Sequence, residues 1–226
     1  MDRFPEEHEP GYAVYSKASL AIYDALVLGL SNRFIWKCPS NHLTALYREQ
    51  LGSRHLDIGV GTGYFLDKAA FPDSNPDVTL LDPNEECLKA AAARISRYNP
   101  TSIKADALVP WPETLGQFAS IGLNYVLHCL PGTMAQKCVL LDHLQPHLRK
   151  EGVVFGATIL QGGAPRSALA RKLMTIYNQK SVFSNENDTL ESLEAELSAR
   201  FDDVEIEMIG CVALFYGRMP RSTVRE

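Results

Sequence analysis

The stretch HLDIGVGTGYFLDKA, residues 55–69, sets an apolar run against three glycines at every second position, Gly59, Gly61 and Gly63, and then continues with helical periodicity. A backbone stripped of side chains directly after a strand makes a tight strand-to-helix turn. It also lets a ligand approach the main chain at the carboxyl end of that strand. The rest of the chain alternates short apolar runs with longer amphipathic ones, the mark of a parallel sheet covered on both faces by helices, so the fold class is α/β. Candidate strands are HLDIG at 55, VTLLD at 78, SIKAD at 102, ASIGLNYVL at 119 and GVVFGATIL at 152. After the second of these, NEECLKAAAARISRY reads as a helix with Asn84 as its N-cap and Asn99-Pro100 closing it. The last two runs, DDVEIEMIG and CVALFYGRMP, are separated by little more than Gly210, a link too short for a parallel crossover. They are expected to form an antiparallel hairpin.

No repeat or linker interrupts the pattern, so residues 1–226 are expected to form a single domain. Ahead of the first strand, Tyr12 to Trp36 reads as helical, and residues 1–40 are assigned as an N-terminal helical lid. The stretch at 161–188, QGGAPRSALARKLMTIYNQKSVFSNEND, is longer than an ordinary connection and is assigned as a substrate-covering insertion. A chain of 226 residues that is 46% hydrophobic and 22% charged lies in the soluble globular range. Its net charge of −5, with no basic block, leaves no footprint for a phosphate backbone, so a small molecule rather than a nucleic acid is the expected partner. No apolar run reaches the roughly 18–20 residues that span a bilayer. The polar, acidic opening MDRFPEEHEP is unlike a signal peptide. No membrane association, a cytoplasmic location and a monomer or homodimer are expected. Cys38, Cys87, Cys129, Cys138 and Cys211 are odd in number, scattered and lack a C-x-x-C pair, which suggests neither a disulfide framework nor a zinc site; they are read as buried thiols, and no metal is expected.

Asp82 closes the second strand nineteen residues after Gly63, where its carboxylate oxygens can accept both hydroxyls of a ribose. Asp106 closes SIKAD in the same way, so three strand ends address one crevice; acids at strand ends also cap turns, and that simpler role stays open. A dinucleotide-binding turn wants G-x-G-x-x-G, and here the sixth position is Tyr64. A kinase-type phosphate loop needs a Lys-Ser or Lys-Thr pair after the glycines, and none follows.

From about His55 onward these residues resemble the class I S-adenosylmethionine-dependent methyltransferases. LDIGVGTG is similar to the first motif of that family, which implies that Asp57, Gly59, Gly61 and Gly63 hold the methionine part of S-adenosyl-L-methionine. LLDPNEECLKAA resembles the second, implying Asp82 on the ribose with Pro83 beside the adenine. KADAL resembles the third, implying Asp106 on the adenine amino group and the Ala107 backbone N–H on a ring nitrogen. FASIGLNYVLHCLPG resembles the fourth-strand motif, which adds Leu123 and Asn124 to the expected cofactor contacts. LRKEGVVFGATIL is similar to the glycine turn into the fifth strand. The implied fold is a Rossmann-like seven-stranded, mainly parallel sheet whose reversed final strand accounts for the hairpin at Gly210. One departure is Ala119, where the family usually has aspartate after the phenylalanine of the fourth strand.

The implied activity is methyl transfer to an oxygen, nitrogen or sulfur atom of a small molecule, a metabolite or an intermediate of secondary metabolism. The alternative is a protein of the same fold acting as a cyclase-type catalyst or regulatory partner. Tyr12, Tyr15, Tyr23, Trp36 and Tyr177, with Phe183, are candidates to wall an apolar acceptor pocket and to face the sulfonium charge, although rings at helical spacing also serve as plain core. His128, just past the fourth strand, is the candidate catalytic group, as a general base or as a positioning residue. Trp111 follows Asp106 closely, as a packing partner for adenine or as a hydrophobic plug. His143 and His147 are read as a solvated helix face. No NPPY-like tetrapeptide follows the fourth strand, and no ordered set of carboxylates and histidines resembles the metal-dependent catechol type.

Overall fold

The computed structural model describes residues 24–221, with side chains from Gly29 onward. Seven strands form one sheet: β1 (Arg54–Ile58), β2 (Asp77–Asp82), β3 (Thr101–Lys104), β4 (Phe118–Asn124), β5 (Leu148–Ile159), β6 (Phe201–Ile209) and β7 (Val212–Pro220). Their order is β3-β2-β1-β4-β5-β7-β6. The first five run parallel, while β7 lies antiparallel between β5 and β6, as the short link at Gly210 required. Because the order reverses between β1 and β4, their carboxyl ends diverge and open a crevice there.

Alternation along the strands sends successive side chains to opposite faces. Leu80 and Phe155 join a core under α1 (Ser40–Gln50), α2 (Tyr64–Lys68) and α3 (Glu85–Arg94). Leu81 and Val154 join a second core under α4 (Met134–Lys137), α5 (Val139–Leu144) and α7 (Leu190–Arg200). Asn84 caps α3 as its residue type demands, its side chain accepting from the Glu86 N–H at 2.9 Å. Within 161–188, Ser167 caps α6 (Ala168–Gln179). The loop that follows α6 is tied down by Asn185, whose Nδ2 donates to the Ile159 carbonyl, and by Ser184, whose N–H donates to the His128 carbonyl.

Upstream of α1, Asp24–Ile35 forms a π-helical segment, within the stretch Tyr12 to Trp36 that reads as helical. Tyr12, Tyr15 and Tyr23 lie outside the described residues. The segment leads to Trp36, whose carbonyl accepts from the Cys211 N–H at 3.0 Å in the β6–β7 turn. Among the described residues, no helix is long and apolar enough to cross a membrane.

The expectation of a solvated pair at His143 and His147 is corrected. The helix stops at Leu144, Pro146 sits in a 3-10 turn, and His147 is buried with its Nδ1–H donating to the Gly116 carbonyl at 2.9 Å. His143 is half-buried, and its Nδ1–H donates to the carbonyl of Ala107 at 3.3 Å.

Candidate functional site

A two-lobed cleft opens at the carboxyl ends of β1, β2 and β4. The smaller lobe, about 390 Å³ to its open mouth, is walled by Tyr47, Asp57 and the loop Gly59–Gly63. The larger, about 930 Å³, runs over Asp82, Pro83, Asp106 and Ala107 toward Leu130. Gly59, Gly61, Asn124 and Tyr125 belong to both lobes and mark their junction.

The three glycines earn their place for separate reasons, although all have positive φ (66°, 52° and 69°). A Cβ on Gly59 would lie 2.6 Å from a Val126 methyl, and one on Gly63 would press on the α3 backbone at Ala91. At Gly61 a Cβ would meet nothing within 4 Å, so this residue bares its backbone to the cleft. Gly61→Ala is therefore expected to cost about 1–2 kcal/mol from the left-handed conformation alone. Gly59→Ala should cost measurably more in urea titration, because the overlap with Val126 is added. Equal losses would mean that the contact with Val126 relaxes freely.

Asp57 is buried, and its Oδ1 accepts from the Tyr47 hydroxyl at 2.8 Å and faces His55 Nε2 at 3.4 Å. Ser120 Oγ in turn lies 2.8 Å from His55 Nδ1 and accepts from the Gly52 N–H at 2.8 Å. This buried string fixes the carboxylate's rotamer at the floor of the smaller lobe. Asp82, at the tip of β2, accepts from the Asn84 N–H at 2.8 Å and from the backbone N–H groups of Val60 and Gly61. Burial nevertheless dominates, raising its pKa from 3.8 to about 6; the three N–H donors pull the other way, and the nearby Asp57 adds a smaller upward push.

Asp106 is exposed at the mouth, its Oδ1 accepting from the Leu108 N–H at 2.9 Å. Ala107 lines the cleft beside it. Trp111 does not line the cleft. It is buried as a plug against His147, and its indole N–H donates to the Asp106 carbonyl at 3.2 Å. With His143 on the next carbonyl, Trp111 fixes the backbone that presents both residues. Leu123 is buried in the core beneath the site, whereas Asn124 lines both lobes. The Asn124 Oδ1 is buried without a hydrogen-bond partner among the described residues. Such an atom is costly unless something else supplies a donor.

Beyond the junction, rings follow one another, edge to face except for the tilted pair of Phe183 and Trp36. Tyr125 meets His128 at 5.4 Å, His128 meets Phe183 at 4.6 Å, and Phe183 meets Tyr177 at 4.9 Å and Trp36 at 5.9 Å. His128 is buried, and its Nδ1 accepts from the Ile159 N–H at 3.3 Å, which leaves the proton of the neutral ring on Nε2. Burial, with Lys137 nearby, lowers its pKa from 6.5 to about 3. Tyr47, Tyr125 and Asn32 escaped sequence reading, and His143 was read only as a solvated residue, since each acts through a partner that the fold brings close.

The family described as "Methyltransferase domain" matches residues 56–154. Demethylluteothin O-methyltransferase from Streptomyces thioluteus is 38% identical over 205 residues, which cover 91% of this chain and 89% of that enzyme. The chain belongs to the class I S-adenosylmethionine-dependent methyltransferases. A second relative of this methyltransferase, the physcion biosynthesis cluster O-methyltransferase of Aspergillus chevalieri, is 36% identical over 215 residues, covering 94% of this chain and 96% of that one. Among solved structures, the N-methyltransferase NodS from Bradyrhizobium japonicum WM9 in complex with S-adenosyl-L-homocysteine shares the fold. It superposes with a TM-score of 0.60 at 18% identity, covering 90% of this methyltransferase and 98% of NodS. The reaction is transfer of a methyl group from S-adenosylmethionine to a small molecule. The cleft of this methyltransferase fits that cofactor in chemical terms: bare backbone at Gly61, a carboxylate at Asp82 and an acceptor oxygen in want of a donor at Asn124.

Proposed function

We propose that this methyltransferase methylates a hydroxyl oxygen on a flat, largely apolar intermediate of a natural-product pathway. The observation that carries this reading is the continuous run of rings from Tyr125 through His128 and Phe183 to Tyr177 and Trp36, which begins where the two lobes of the cleft meet. Of this run Tyr125 lines the cleft, with the buried His128, Phe183 and Trp36 packed behind it, and an aromatic surface favours planar apolar acceptors and tolerates a neighbouring cation. The curated relatives named as O-methyltransferases support oxygen as the acceptor atom.

When bound, the sulfonium cofactor supplies a methyl group already activated for transfer, so the chain's task is alignment and exclusion of water. On this reading Asp82 accepts the ribose hydroxyls, with Pro83, Asp106 and Ala107 around the adenine. Asp57, Asn124 and the backbone of Gly59, Gly61 and Gly63 hold the amino-acid end. The lid within residues 1–40, including Tyr12, Tyr15 and Tyr23, and the segment 161–188 close over the acceptor. The protein acts in the cytoplasm as a monomer or homodimer, with no nucleic acid or membrane partner.

For His128 we favour the positioning role over the general base. An imidazole whose Nδ1 is already occupied by a backbone N–H, and which stays neutral throughout the working pH range, is poorly poised to collect a proton. His128→Asn keeps an acceptor near the Nδ1 position. It is expected to hold turnover within about tenfold of the parent, whereas loss of a general base costs about 10²–10⁴-fold. A loss in that larger range would assign the base to His128. The overall reading is tested by isothermal titration with S-adenosylhomocysteine, followed by incubation of pathway extracts with methyl-labelled cofactor and NMR of the labelled product. A labelled methoxy carbon supports oxygen transfer, and an N-methyl or S-methyl signal overturns it.

A further inference from the structure

We propose that Tyr125 is a positioning residue whose hydroxyl links the donor cleft to the segment Asp24–Ile35, so that filling the cleft tightens that segment. The inference rests on the cofactor assignment and on geometry that the assignment does not itself require. Tyr125 follows directly on β4 with φ at +61°, a left-handed conformation that a non-glycine side chain adopts at a cost. Strain of this kind persists where surrounding structure holds it, and it clusters at functional positions. Here the turn is held by the Tyr125 N–H, which donates to the Ala157 carbonyl at 2.7 Å. The result is a side chain that lines both lobes of the cleft at their junction.

The far end of the same side chain leaves the cleft. Its hydroxyl donates to Asn32 Oδ1 at 2.9 Å, across 93 residues of sequence. Asn32 is fully buried and satisfied on its other atoms: Nδ2 donates to Ser40 Oγ at 2.9 Å, and its carbonyl accepts from the Cys38 N–H at 2.8 Å. Tyr125 therefore has its ring at the junction of the cleft and its hydroxyl on a buried amide that ties the π-helical segment to the start of α1. A ligand filling the junction restricts the ring's motion, and a restricted ring loses less entropy on keeping the bond to Asn32. Coupling of this kind is reciprocal, so the packed segment raises donor affinity by the same factor by which the donor protects the segment.

The experiment is hydrogen–deuterium exchange on the full chain with and without saturating S-adenosylhomocysteine, alongside titration calorimetry. In the parent, the ligand should slow exchange of amides in Asp24–Ile35 by about fivefold or more, the lower end of ordinary coupling factors. Tyr125→Phe keeps the ring and its contact with His128 while deleting the hydroxyl. It should still bind the ligand, with affinity reduced by no more than the coupling factor, and the ligand-dependent slowing should vanish. Asn32→Ala should abolish the same slowing, and the double variant should lose nothing further. A Tyr125→Phe protein that binds the ligand and retains the slowing overturns the proposal, as does a parent that binds the ligand and has no slowing. A parent that fails to bind S-adenosylhomocysteine at all overturns the cofactor assignment first, and this link with it.

Discussion

Asp82→Ala is expected to weaken binding of S-adenosylhomocysteine by more than about tenfold, since each hydrogen bond to a charged acceptor contributes about 1.5–3 kcal/mol and 1.4 kcal/mol is one decade. The pH dependence sharpens the expectation. Burial holds the Asp82 carboxyl at about 6 rather than 3.8 in the empty protein, and the ribose hydroxyls donate only to the ionised form well. Affinity should therefore fall as pH drops through about 6, with binding near that pH releasing a proton. The contribution to folding has the opposite sign to that of an ordinary paired carboxylate. The folded chain holds this proton more tightly than the unfolded one, so the group's contribution to stability decreases as pH rises from 3.8 to about 6 and stays at its low value above. Asp82→Asn removes the titrating group and should flatten the acid limb of the affinity profile. Calorimetric titrations between pH 5 and 8 test both, and an Asp82→Ala protein that binds as tightly as the parent would remove the ribose role.

Lys137→Met should destabilise the protein by about 3–5 kcal/mol, the usual cost of leaving one member of a buried ion pair without its partner. Lys137, at the end of α4, is fully buried, and its Nζ donates to both carboxylate oxygens of Asp188 at 2.8 and 2.6 Å and to the Ser184 carbonyl. Burial pushes the lysine pKa down and the aspartate pKa up, while each charge favours ionisation of the other. The Asp188 carbonyl also accepts from the N–H groups of Gln161 and Gly162, so the pair anchors both ends of the 161–188 segment. Lys137→Met combined with Asp188→Leu should recover most of the loss, because an apolar pair of similar size leaves no stranded charge. Urea denaturation of the single and double variants measures this; a double variant as unstable as the single one would mean that the backbone contacts, not the charges, carry the anchor.

Much of the sheet could be read from the sequence because apolar runs and their breakers coincide with strand ends: β1, β2 and the β6–β7 hairpin lie where the pattern put them. SIKAD reads two residues too long, since β3 ends at Lys104 and Asp106 lies in the following turn; two further strands differ for identifiable reasons. The run ASIGLNYVL remains apolar through Leu127, yet β4 stops at Asn124, because the turn there is made by a tyrosine at positive φ, and tyrosine carries no turn signal. β5 begins at Leu148, earlier than the apolar run, since its register against β4 shifts between Phe118 and Ser120 and the charged residues Arg149, Lys150 and Glu151 are absorbed there. Gly59, Gly61, Asp82 and Asp106 come to the cleft from positions at or just past strand ends, where the pattern put them. Tyr47, Asn32 and Tyr125 were not legible in the sequence, because what defines them is a hydrogen bond to a residue that only the fold brings close.

The reversed strand β7 also governs how the molecule can move and recombine. Since β7 starts opposite Ile159, the turn before it lies on the same edge as the cleft, where it grips the chain at Trp36. A Cβ on Gly210 would sit 2.1 Å from the Trp36 carbonyl oxygen, so the grip tolerates no side chain. The chain is thus fastened to the sheet at Trp36, so that any displacement of Asp24–Ile35 pivots about this point. The same pivot is a natural splice point: chimaeras joined just before Trp36 exchange the residues ahead of it while leaving the sheet and its cleft intact.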